Sequence, residues 1–126
     1  MSVVRSVLLF IIGKLGIRVG GNQILITRDP SGKQHTSGIT PWSFEGGRYL
    51  ISGHGERSRW VRFLRADGKA QLRFGRHSEK ISVEELGIEE KLPILRWYAT
   101  KRLEVGSDEE LVARAPDLPV FRVLPG

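Results

Sequence analysis

Between Val3 and Leu15 the apolar residues Val3, Val4, Val7, Leu8, Ile11, Ile12 and Leu15 recur at helical spacing, with Arg5, Lys14 and Arg18 as cationic flanks. The pattern predicts an amphipathic helix over residues 1–18, ended by Gly20-Gly21-Asn22. The period then changes. Gln23–Thr27 is a β-branched run of strand length, and Asp29-Pro30-Ser31-Gly32 has turn chemistry, so a hairpin is expected. The return strand, His35–Phe44, contains Pro41, which cannot donate to a ladder and therefore marks an edge or a bulge. Glu45-Gly46-Gly47 turns the chain into a third strand, Arg48–Ser52.

After Gly53-His54-Gly55, the residues Trp60, Val61, Phe63 and Leu64 cluster among arginines, predicting a short helix closed by Gly68. A second hairpin follows, Lys69–Phe74 and Glu79–Glu84. Ile88–Leu103 reads as a helix in which Pro93 is tolerable only within the first turn. Ser107 with an acidic run behind it starts a short helix to Ala115, and Leu118–Leu124 is a last strand. The order predicts an α+β domain, mostly antiparallel, with about six strands curling into a barrel and helices flanking it.

Composition narrows the function classes. The chain has 126 residues, enough for one domain (19–126) behind the N-terminal helix. Without cysteine it can have no disulfide, thiolate metal site or cysteine nucleophile, which fits a cytoplasmic protein. Three scattered histidines form no paired motif, so no metal site is expected. The apolar stretch at the N-terminus is too short to span a bilayer, which takes about 20 residues. Packing on the domain is the favoured place for this helix; the alternative is peripheral contact with the inner face of the cell membrane. Twenty Lys and Arg against fourteen Asp and Glu leave a net charge of +6, which implies an anionic partner. Basic residues interleaved with Trp60 and Phe63 also suit nucleic acid, but no nucleic-acid module is present and that partner is not expected. Monomer and homodimer both remain open.

Taken together, several pieces are familiar in order and spacing. They are Ser31-Gly32, Thr36-Ser37, Gly46-Gly47-Arg48-Tyr49-Leu50, Gly53-His54-Gly55-Glu56, and Trp60 to Ala66 reading WVRFLRA. In this the chain resembles the deazaflavin-dependent nitroreductase and quinone-reductase family. The resemblance implies a split β-barrel, flavin-reductase-like, holding coenzyme F-420 and passing hydride to nitroaromatics, quinones or similar small molecules, with FMN as the less favoured flavin. It implies that Ser31, Gly32, Lys33, His35 and Ser37 meet the cofactor's phosphate. Gly53, His54 and Gly55 would lie near its flat ring, and Arg57, Arg59 and Trp60 would stand at the start of the neighbouring helix. Core packing is the competing role for Trp60. Tyr98 is the candidate proton donor, with ordinary burial as its competing role. The chain departs from the family pattern where a basic pair is replaced by Asp29-Pro30, an arginine by His35 and an asparagine by Phe63. These departures raise an alternative, a cofactor-free relative that binds a fatty acid or other hydrophobic ligand.

Overall fold

The computed structural model describes residues 23–53, 55–103 and 105–126. The predicted N-terminal helix and His54 lie outside the described residues. Seven strands form one sheet: β1 (Gln23–Arg28), β2 (Gln34–Ile39), β3 (Trp42–Phe44), β4 (Gly47–Ile51), β5 (Lys69–Phe74), β6 (His77–Glu85) and β7 (Val120–Pro125). Their spatial order is β2-β1-β5-β6-β7-β4-β3, and every neighbouring pair is antiparallel.

The expected single return strand is two strands, and this accounts for seven where about six were predicted. β2 and β3 lie on opposite edges of the sheet, yet only Thr40 and Pro41 separate them. The three Cα steps from Ile39 to Trp42 span at most about 11 Å. The sheet must therefore curl until its edges meet at that corner, which makes it a split barrel. Buried Pro41 sits where the ladder has to break, a place that needs no amide donor.

Two cores form on the two faces of the curled sheet. Inside it, Leu25, Leu50, Leu72, Ile81, Phe121 and Val123 pack against Trp60, Val61 and Leu64 of helix α1 (Arg59–Asp67). Those helical positions fall on one side of the helix, which is the side that meets the inner core. Gly68 ends it with φ 75°, donating its N–H to the Leu64 carbonyl at 2.7 Å. On the outer face Tyr49, Ile51 and Val120 pack against Ile94 and Leu95 of α2 (Ile88–Ala99) and Leu111 of α3 (Asp108–Arg114). The alternation along β4 divides the cores, with Leu50 pointing in and its neighbours out.

Helix α2 differs from expectation at two points. Pro93 is its sixth residue, beyond the first turn, so the Glu89 carbonyl has no helical donor. Both residues are exposed, which leaves that carbonyl to water. The helix also stops at Ala99, short of Leu103, where the Thr100 hydroxyl donates to the Trp97 carbonyl at 2.7 Å. That local bond competes with continued helix. The start of α3 follows the sequence closely: Ser107 Oγ accepts from the Glu110 N–H at 3.1 Å.

Candidate functional site

The β1–β2 hairpin and the exposed side of α1 are brought together by one ring contact. The centroids of His35 on β2 and Phe63 on α1 are 4.8 Å apart, tilted by 34°. This sets the hairpin against the middle of the helix. Arg62 lies over the Phe63 ring at 6.0 Å, and Arg59 is one turn before Phe63 on the same side. Arg59 and Arg62 are exposed beside this contact along α1, with exposed Arg57 in the turn that precedes the helix, while exposed Lys33 lies in the hairpin turn. Among the described residues none of these four cations takes part in an ion pair.

The tip of the hairpin is organised by Asp29. Its Oδ1 accepts from the Ser31 N–H at 2.9 Å, the Ser31 hydroxyl at 2.6 Å and the Lys33 N–H at 3.0 Å. Its Oδ2 lies 2.8 Å from His35 Nε2, which acts as donor in this pair. The Ser31 hydroxyl above all, then the His35 ring and the two amides, hold the Asp29 carboxyl far below the usual carboxylate range. Gly32 takes φ 91° at the turn, where a side chain would be strained. Ser37 is half-buried, two residues beyond His35 and on the same face of β2. On that face the His35 partner in the ladder is Thr27, whose buried hydroxyl oxygen has no hydrogen-bond partner among the described residues.

A second group surrounds Gly53. A Cβ there would stand 3.1 Å from the Tyr98 hydroxyl, so this phenol lies against the glycine loop. Tyr98 is partly buried, and burial raises its pKa, opposed by the nearby Arg102 charge. It stays protonated at neutral pH. Its ring meets Trp42 edge-on at 5.5 Å, and Trp97 touches both Trp42 and Phe44 at 5.9 and 5.3 Å. Arg102 stands over Trp42 and Lys101 over Trp97. Gly55, with φ 76°, is packed against the Asp117 carbonyl. Trp60 is apart from both groups: it is 8% exposed in the inner core, 5.9 Å from Phe121.

Sequence reasoning passed over the aromatic group around Trp97. The signal was available, because Trp42 and Phe44 are two apart on one strand and so share a face. It also passed over Lys91, which is buried on α2 and donates from Nζ to the Leu118 carbonyl at 3.1 Å. Desolvation lowers its pKa, against the opposing pull of Glu85 and Glu56. Those two carboxylates are themselves paired with Arg65 of α1 at 2.7 Å each. Two open clefts lie on the sheet: one of about 430 Å³ beside Arg48, Glu79 and Lys80, and one of about 360 Å³ between Arg28 and Gln34 of the hairpin, Asp67 at the end of α1, and Lys69.

No protein-family model matches the chain, and no curated protein sequence matches it. Solved structures do. The chain is similar to the haem-storage protein HutZ of Vibrio cholerae, with TM-score 0.67 and 13% identity over 91% of this chain and 87% of that one. It is similar to a pyridoxamine 5′-phosphate oxidase-related, FMN-binding protein of Nostoc punctiforme, with TM-score 0.67 and 8% identity over 99% and 82% of the two chains. An F-420 reductase matches with TM-score 0.54 and 9% identity over 83% and 86%. At such identities the likeness establishes the fold, a flavin-reductase-like split barrel. Among the described residues no helix is long and apolar enough to cross a membrane.

Proposed function

We propose that the protein is a deazaflavin-dependent oxidoreductase acting on small oxidised molecules such as nitroaromatics or quinones. The observation that carries this reading is a basic mouth beside the His35–Phe63 contact, where Arg59 and Arg62 of α1 take part in no ion pair among the described residues and Lys33 lies in the facing hairpin turn. An anionic tail on a cofactor needs such a mouth. The cationic side chains fit that tail, whereas the amides of Ser31 and Lys33 are already committed to Asp29. When bound, the cofactor supplies the hydride. Tyr98 would hold a proton on its hydroxyl beside Gly53, ready to donate to a reduced substrate, and its neighbouring rings would exclude water.

The fold also occurs in an FMN-binding protein, so FMN is the competing flavin. A fatty-acid carrier would need an apolar cavity, and the inside of this barrel is filled by Leu25, Leu50, Leu64, Ile81 and Phe121. The test is a fluorescence titration with reduced coenzyme F-420 at low salt. Binding is expected, and Lys33→Glu is expected to weaken it about tenfold, since a charge-assisted contact becomes a repulsion. Equal affinity of the two proteins would place the tail elsewhere.

A further inference from the structure

We propose that Asp29 is a built-in anion that fills the donor set of the β1–β2 hairpin and thereby excludes phosphate from it, leaving a ligand's charge to the side chains of the adjoining basic mouth. Two amides, a hydroxyl and an imidazole converge on this one carboxylate within 2.6–3.0 Å. A bound phosphate would call on the same kinds of donor. Here all four are spent on the two oxygens of a group tethered in the same turn. An arriving phosphate would have to displace it against the high effective concentration that tethering confers. It would also come to rest beside an ionised carboxylate.

The three departures from the family pattern are thus one connected unit. Asp29 receives the hairpin's donors, His35 bridges from Asp29 to the helix, and Phe63 receives the His35 ring. Asp29 acts as a specificity determinant, favouring ligands whose anion reaches past the hairpin turn to Arg59 and Arg62 of α1. This step rests on the reading that the mouth takes an anionic ligand, but its own test does not need the cofactor.

The turn does not depend on the carboxylate alone, because the Asp29 N–H donates to the Lys33 carbonyl and the Gly32 N–H to the Asp29 carbonyl, at 2.9 and 2.8 Å. Asp29→Ala should keep these backbone bonds while releasing the four donors. Isotope-labelled full-length protein is titrated with inorganic phosphate at low ionic strength, and the amide resonances of Ser31 and Lys33 are followed. In the parent protein they are expected to stay in place. In Asp29→Ala both should shift, with affinity for phosphate raised about tenfold by the freed donors. Asp29→Asn, which keeps an acceptor and loses the charge, should gain less. Phosphate moving both amides in the parent protein as strongly as in Asp29→Ala, or no gain in either variant, would overturn the proposal. Failure of coenzyme F-420 to bind the parent protein, with phosphate behaving as described, would instead remove the proposed function and leave the role of Asp29 standing.

Discussion

Lys91 shows how much of this molecule turns on single ionisable groups placed out of reach of water. A buried ammonium is costly unless partnered, and here one carbonyl, from Leu118, accepts from it directly while Glu85 and Glu56 act from further away. Desolvation lowers its folded pKa below the ordinary 10.5, so the unfolded chain holds the proton more tightly. Stability therefore rises with pH between the depressed folded value and the ordinary one. Lys91→Met removes both the proton and the desolvation cost, and its melting temperature at pH 7 should lie within about 5 °C of the parent's. On moving from pH 7 to pH 10 the parent should gain on the variant; a difference in melting temperature that ignores pH would show that Lys91 is not strained by burial.

At the scale of elements, α2 is a helix that its own sequence resists. Pro93 removes one hydrogen bond and crowds the preceding turn, and Gly87 at the start supplies no side-chain cap. The helix persists because Ile94 and Leu95 are buried against the outer core. Pro93→Ala should restore the bond to the Glu89 carbonyl and raise stability by about 1 kcal/mol or more, read by urea denaturation. A loss of stability would mean that Pro93 itself is needed to seat Ile94 and Leu95. Helix α1 behaves oppositely: its buried positions and terminal Gly68 agree, and its extent could be read from the sequence.

At the scale of the whole molecule, the barrel is held by residues that join distant strands. Phe121 on β7 lies opposite Leu50 on β4 and packs on Trp60 of α1, at 1% exposure. Phe121→Ala should cost about 3–5 kcal/mol, a large part of the stability of an ordinary domain. A loss below about 1 kcal/mol in chemical denaturation would indicate that the inner core can collapse around the gap.

Local chemistry determined the element order, because turns, caps and β-branched runs act over a few residues. The Asp29-Pro30-Ser31-Gly32 turn, the Gly68 stop and the Ser107 cap are all such signals. The basic character of the surface was likewise legible from the charge balance. Tertiary structure alone decided the rest. Residues 35–44 read as one strand because periodicity carries no information about which partner each half will find; closure of the sheet sends the halves to opposite edges. Asp29, His35 and Phe63 stood out in the sequence as three separate departures. Their union depends on α1 crossing the hairpin, a contact between residues 28 positions apart that no local pattern encodes. The same holds for Tyr98 over Gly53 and for Lys91 beneath Leu118, since burial is a property of the assembled core and not of the residue.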